Sequence, residues 1–375
     1  MSKIKKILFI WPTLSKGGAE KVMLDLVSQL QINYEITILV KFHICEFSSL
    51  PKVNLVYSDK KRYNGVINKI LNRVFFYISI FRLVRCTDIV ISKEVIFGLI
   101  PSFIASKLFK KYFIVWNHSN LDVYPVVRNN LERKLHKFIL ANVDRVINVS
   151  KYAEASLFDY IGHKLDHSLV IYNHISETVF SEQIKQSSMK CSNGETVKII
   201  IVGRLSKEKN FELALLALND LVKLHLLDIK LIICGEGEQR SSIEAIVKQN
   251  NLEDYVILTG LVHNVIDYIQ DSHILISTSN TESFGMTVIE GLACSKPVII
   301  TNTGAVEILD NGKYGYIINI NDKSELINKI LEVINNYDIA LEKARLGYLS
   351  LSRFSGSAII RQWDNLFDEI IFASK

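Results

Sequence analysis

The sequence predicts an α/β protein built of two Rossmann-like domains, and three observations carry that expectation. Apolar strands alternate with helical segments from end to end, the grammar of βαβ units around parallel sheets. At 375 residues the chain exceeds what one ordinary core accommodates. Its charge also divides in two: residues 1–172 hold 25 Lys/Arg against 13 Asp/Glu, net +12, while residues 173–375 hold 19 against 26, net −7. Hydrophobic content of 49% with 22% charged residues describes a folded chain and excludes a disordered one.

In chain order, Ile4 to Trp11 is a continuous apolar strand, then a loop ending in Gly17 and Gly18, then a helix from Ala19 to Leu30. A glycine pair between strand and helix lets backbone approach an anion closely, or simply makes a tight βα turn. Strands follow at Ile36–Val40, Val53–Tyr57, Asp88–Ile91, Tyr112–Trp116, Arg145–Val149 and Leu169–Tyr172, with helices near 65–83, 95–108, 126–141 and 151–161. Lys60 to Arg85 holds seven basic residues, no acidic one, and the aromatics Tyr63, Phe75, Phe76, Tyr77 and Phe81. A basic amphipathic helix with aromatics fits an anionic membrane interface; the alternative is a peripheral helix packed on the sheet. His118 falls at the carboxyl end of a strand, where open parallel sheets bind ligands. Asn173 opens a polar stretch, Ser176 to Glu195, that marks the boundary between domains 1–172 and 173–354.

The second domain opens on the strand Val197–Val202, and Gly203 to Asn210 leads into a helix, Phe211 to Leu224. Arg204 and Lys209 on that turn make a cationic clamp: a planar fork for phosphate oxygens and a mobile point charge. The strand Lys230–Cys234 ends at Gly235, and Val256–Thr259 ends at Gly260, Leu261 and Val262. His273 to Thr301 reads strand, loop, helix, strand, with Glu282 in the loop and Glu290 about two turns along the helix. Ser283 as helix N-cap would leave the amides of Phe284, Gly285 and Met286 facing an anion. Carboxylates so placed can accept hydrogen bonds from paired sugar hydroxyls, or can be two solvated helix charges. Gly312–Ile318, helices near 323–336 and 338–350, and a last helix, Ser357 to Phe372, complete the chain.

Other classes find little support. No Asp-x-Asp and no paired histidines at ligand spacing are present, so no metal site is expected. Five unclustered cysteines argue against a disulfide framework. The longest uncharged run, Val95 to Ser106, is 12 residues and contains Pro101, short of the roughly 18 that span a bilayer. Met1 to Lys6 is followed by a strand rather than a signal h-region and cleavage site, so a cytoplasmic location is expected.

The string from Gly203 to Asn210, the Glu282–Glu290 pair and the run from Glu290 to Val298 closely resemble the motifs of retaining glycosyltransferases of family 4. The resemblance spans essentially the whole chain. It implies a GT-B fold: two Rossmann-like domains facing across a central cleft, with the last helix, about 355–375, crossing back to the first. It also implies roles. Arg204 and Lys209 would meet the departing diphosphate, aided by Gly17, Gly18, Gly203 and Gly235 and by the amides of Ser283, Phe284, Gly285 and Met286. Glu282 would hold the donor sugar, Glu290 the ribose, Leu261 and Val262 the base through backbone, and His118 the reacting region. The expected donor is a nucleotide sugar, UDP preferred over GDP, with no metal, no other cofactor and no nucleic-acid partner. The expected acceptor is a polyprenyl-diphosphate-linked glycan or an oligosaccharide in surface-polysaccharide synthesis, reached from the inner face of the membrane. Ala305 departs from the family, which usually has a second glycine after Gly304. An epimerase of the same architecture and a non-catalytic sugar- or lipid-binding module are the rival readings.

Overall fold

The computed structural model describes residues 5–15, 17–47, 50–58, 66–123, 127–175, 196–225 and 227–373, with backbone alone for 66–69 and 371–373. The chain divides into two compact units, Met1–His174 with Gly356–Lys375, and Ile175–Ser355.

The first unit is a seven-stranded sheet flanked by helices. Its elements are β1 (Lys6–Trp11), α1 (Gly18–Leu30), β2 (Glu35–Val40), β3 (Asn54–Tyr57), α2 (Val66–Arg85) and β4 (Ile89–Lys93). They continue with α3 (Ile96–Leu108), β5 (Tyr112–Asn117), α4 (Asn130–Asn142), β6 (Arg145–Asn148), α5 (Lys151–Ile161) and β7 (Ser168–Val170). The spatial order is β3-β2-β1-β4-β5-β6-β7, and every pairing is parallel. Ile7 to Trp11 read as an unbroken apolar run because both faces of β1 are covered. Side chains supply helix starts: the Asn129 side chain accepts from the Glu132 N–H, and Ser150 from Ala153. The helix expected near 126–141 begins only at Asn130, where that cap sits.

Phe76, Ile80 and Val84 of α2 enter the core beneath it with Leu99, Phe113 and Leu140. The last helix, Gly356–Ala373, belongs to this unit. Its Trp363 stands edge-on to Trp116 at 5.1 Å, its Asp364 accepts from the Tyr34 hydroxyl at 3.0 Å, and Phe367 meets the Tyr34 ring.

The second unit is a six-stranded parallel sheet in the order β10-β9-β8-β11-β12-β13. The strands are β8 (Val197–Val202), β9 (Ile229–Cys234), β10 (Val256–Gly260), β11 (Ile274–Ser277), β12 (Val298–Thr301) and β13 (Tyr316–Ile318). Within the stretch Gly312–Ile318 the strand is Tyr316–Ile318, and Asp310, Asn311 and Gly312 turn ahead of it with positive φ. Helices Arg240–Gln249 and Val265–Gln270 join elements between which the sequence reading placed none. In each sheet the strand order reverses once, between β1 and β4 and between β8 and β11. Loops beyond the carboxyl ends of strands at such reversals are where open α/β sheets hold ligands. Ser176 to Glu195, assigned above to the inter-domain boundary, lies outside the described residues.

Candidate active site

In the second unit the two loops at the reversal carry the chemistry. The loop after β8 contains Gly203, Arg204 and a single 3-10 turn, Lys207–Lys209; the loop after β11 contains Glu282. Lys209 Nζ meets Glu282 Oε2 at 2.5 Å, with only 23% and 20% of the two side chains exposed. The two residues most strongly expected at the site are thus brought together and neutralise one another. The turn that presents Lys209 is fixed from across the reversal. The buried Thr278 hydroxyl lies 3.1 Å from the Lys209 carbonyl and 2.9 Å from that of Asn210, and the Asn280 N–H donates to Glu208. Arg204 is different: its side chain is 71% exposed and its guanidinium pairs with Glu208 at 2.8 Å. Burial pushes the Glu208 carboxyl up, but hydrogen bonds from Ser206, its own backbone and Arg204 prevail and hold it below the usual carboxylate range.

Glycines let these loops close on one another. A Cβ on Gly235, whose φ is +152°, would collide with the Gly203 carbonyl, and its N–H already donates to Gly260 at 2.9 Å. Gly304 packs beneath the Glu282 loop: its N–H donates to the Glu282 carbonyl at 2.9 Å, and a Cβ would fall 2.5 Å from that oxygen. Ala305, the departure from the family pattern, points its methyl at Gly285, where a Cβ would be 2.6 Å away. One glycine of each facing pair is therefore enough for close approach.

One expectation needs correction. The helix after Glu282 runs Met286–Ala293, and its N-cap is Gly285 in the left-handed region, φ +101°, not Ser283. A left-handed turn ahead of the helix places Ser283 two residues too early to cap it. Glu282 stands in the loop and Glu290, 9% exposed, on the helix, as expected. The Phe284 ring packs edge-on against Phe354 in the core, leaving its backbone as the part that can face a ligand. Leu261 is exposed and Val262 half-buried just past β10; Met286 and Ser283 are half-buried.

In the first unit the reversal lies between β1 and β4. Gly17 is the N-cap of α1, and its missing Cβ is filled by the Glu20 carboxylate; its N–H donates to the Ser15 carbonyl at 2.7 Å. Gly18 faces open space. Glu20, 8% exposed, accepts from Trp11 Nε1 at 3.3 Å and pairs with Lys93 Nζ at 3.5 Å. His118 follows β5, its ring held between Trp116 at 4.5 Å and Trp11 at 5.6 Å. Its Nε2 is buried with no hydrogen-bond partner among the described residues. Burial, with the nearby Lys93 charge, holds the imidazole well below the usual histidine range, so it is neutral at physiological pH. Sequence reasoning passed over Lys93, Glu94, Ser119 and Thr278; their position at strand ends beside a reversal was the available signal.

Two family models match the chain, Glycosyltransferase Family 4 over residues 16–178 and Glycosyl transferases group 1 over residues 182–347. The chain is a family 4 glycosyltransferase. A Campylobacter jejuni N-acetylgalactosamine-N,N'-diacetylbacillosaminyl-diphospho-undecaprenol 4-alpha-N-acetylgalactosaminyltransferase is 26% identical over 347 residues, 90% of this chain and 91% of that protein. A second C. jejuni protein is 25% identical over 97% of this chain and 99% of its own length. It is an alpha-1,4-N-acetyl-D-galactosaminyltransferase named for a GalNAc-containing diNAcBac-PP-undecaprenol. Among solved structures, Anabaena HepE in complex with UDP and glucose superimposes with a TM-score of 0.80 at 18% identity, covering 97% of this chain and 99% of HepE. Sucrose-phosphate synthase of Thermosynechococcus elongatus gives 0.82 at 19% identity, covering 99% and 100%. The glycosyltransferase thus has the GT-B fold with two Rossmann-like parallel-sheet halves.

Proposed function

We propose that this glycosyltransferase moves a hexose or N-acetylhexosamine from a UDP-sugar to a polyprenyl-diphosphate-linked glycan, with retention and without a metal. The Lys209–Glu282 pair at the β8/β11 reversal is the observation that carries this reading. A donor entering there exchanges the pair for its own groups: Lys209 turns to the diphosphate and Glu282 to sugar hydroxyls, with Arg204 closing from solvent. Cationic side chains then meet the charge that develops on the leaving group. Among the described residues no group of three or more His, Cys, Asp or Glu is arranged to hold a metal ion. Glu282, tied to Lys209, is placed to bind rather than to attack. The acceptor oxygen bonds to the anomeric carbon on the face from which the sugar–phosphate bond breaks, and its proton passes to the departing phosphate oxygen.

UDP as donor is supported by its presence in the HepE structure, and a lipid-linked acceptor by the names of the two C. jejuni relatives. A membrane-surface location is supported by the outer side of the first unit. Ile70, Leu71, Val74, Phe75 and Ile78 of α2 are all exposed, and so are Arg73, Arg82 and Arg85. An open apolar groove of about 910 Å³ runs between α2 and Phe109. Among the described residues no helix is long and apolar enough to cross a membrane. The test is incubation with UDP-sugars, with and without lipid-linked acceptors, in EDTA. UDP release that depends on acceptor and survives EDTA is expected. An altered free nucleotide sugar would make the protein an epimerase, binding without turnover a recognition module, and a strict Mg²⁺ or Mn²⁺ requirement would overturn the metal-free step.

A further inference from the structure

We propose that Glu94 is a positioning residue for the acceptor, fixing Ser119 as a hydrogen-bond acceptor for a sugar hydroxyl beside His118; this rests on the transferase reading above. Glu94 directly follows β4 at the strand reversal and is 1% exposed. Its carboxylate accepts from the Ser119 hydroxyl at 2.5 Å and, at 3.4 Å, from the His118 N–H. Among the described residues no cation pairs with it; the adjacent Lys93 is engaged by Glu20. An uncompensated buried carboxylate is costly, and a glutamine could make comparable contacts without that cost. A carboxylate presents acceptors only, whereas a glutamine can also donate, so the carboxylate sets the direction of the bond it shares with Ser119.

Its short contact is with one hydroxyl. With its proton given to Glu94, Ser119 Oγ keeps only lone pairs for a ligand and so can receive a hydroxyl but not donate. The Ser119 turn is held besides by Asn117, whose Oδ1 accepts the Ser119 N–H at 3.2 Å and whose Nδ2 donates to Asn148 at 2.9 Å. Glu94 is held in turn from behind. His136 Nε2 lies 3.0 Å from the Glu94 carbonyl, which can only accept, so Nε2 carries the proton and Nδ1 accepts from the Tyr160 hydroxyl at 3.1 Å. His118, whose Nε2 is buried with no hydrogen-bond partner among the described residues, directly precedes this fixed acceptor in the chain. Together they make a subsite for a polyol.

The experiment compares wild type, Glu94→Gln, Ser119→Ala, Ser119→Thr and the Glu94→Gln/Ser119→Ala double variant in the transfer assay. Expected are an acceptor KM raised about tenfold in each of Glu94→Gln and Ser119→Ala, the scale of one directed hydrogen bond. Donor KM stays unchanged, the Thr variant stays near wild type, and the double variant is no worse than either single. An unchanged acceptor KM in Ser119→Ala, additive losses in the double, or an equal loss toward the donor overturns the proposal. If Glu94→Gln does not fold, the Ser119→Ala and Ser119→Thr pair decides alone. A wild type that transfers to no acceptor removes the transferase reading and this inference with it, a result distinct from transfer with unaltered KM.

Discussion

At the scale of single residues, the ion pair between Lys209 and Glu282 sets the behaviour of the donor side. Each charge is about four-fifths buried, so desolvation offsets much of the attraction, and the worth of the pair lies in holding both groups ready. Lys209→Ala is expected to lower turnover by about 10²–10³, the scale for losing one preorganised charge at a developing oxyanion, with little change in Tm. Arg204→Ala should lower turnover in the same range and leave Tm unmoved, because Arg204 lies mostly in solvent. Steady-state rates on folded variants check both, and near-wild-type turnover in either would remove that residue from the site. Arg204, Lys209 and Glu282 were legible because a strand, a short polar loop and a helix start leave few places for such side chains to go. Glu94 was not legible: an acidic residue after an apolar strand reads as solvated, and only the packing of His136 and Ser119 around it shows burial. Gly285 as N-cap was hidden for a similar reason, since the left-handed turn depends on room that Ala305 leaves.

At the scale of elements, α2, α3 and α4 lie side by side on one face of the sheet, α3 packing against both others. The expectation of a basic, aromatic interface on Lys60 to Arg85 is divided by the structure. Phe76 is buried in the core, Tyr77 and Phe81 pack against it, and Phe75 alone of the ring-bearing residues in this stretch of helix is exposed. Lys60, Lys61, Arg62 and Tyr63 lie outside the described residues, as does the Lys69 side chain. The outward apolar stripe is extended elsewhere: Ile104 and Leu108 on α3, and Leu131, Leu135 and Phe138 on α4, alternating with exposed Arg133 and Lys134. Apolar area flanked by cations suits an anionic leaflet, each Lys or Arg near it contributing about 1 kcal/mol. Replacing Leu131, Leu135 and Phe138 by serine is expected to reduce co-sedimentation with anionic vesicles severalfold at low salt and to leave the circular dichroism spectrum intact. Equal pelleting of variant and wild type, or equal pelleting on zwitterionic vesicles, would sink the membrane assignment for this face. The α4 stripe was not legible because periodicity tells that a helix has an apolar side, not that it has two, one inward and one outward.

At the scale of the molecule, burial decides how the first unit meets acid. Burial holds His136 and His174 down to about 4, and His118 is lowered as well; all three belong to the first unit. In the unfolded chain these imidazoles take a proton near pH 6.5. Stability is therefore full above that pH and falls as pH drops from 6.5 toward 4, where the unfolded state binds protons that the folded one refuses. A depression of this size corresponds to on the order of 3 kcal/mol for each of His136 and His174 when the window has been crossed. Calorimetry between pH 7.5 and 5 should show the transition of the first unit moving to lower temperature as pH falls, with a smaller fall in His136→Gln. No fall in the wild type, or no difference in the variant, would count against this origin. The first unit differs from the second in being discontinuous, since Gly356–Ala373 supplies its final helix. During synthesis, all of Ile175–Ser355 must leave the ribosome before Trp363 can cover Trp116 and Phe367 can reach Tyr34. At ~5–20 residues per second that wait lasts on the order of ten seconds or longer. The half of the enzyme made first is thus the half completed last, and until then the nascent chain keeps an uncovered aromatic surface for a chaperone to hold.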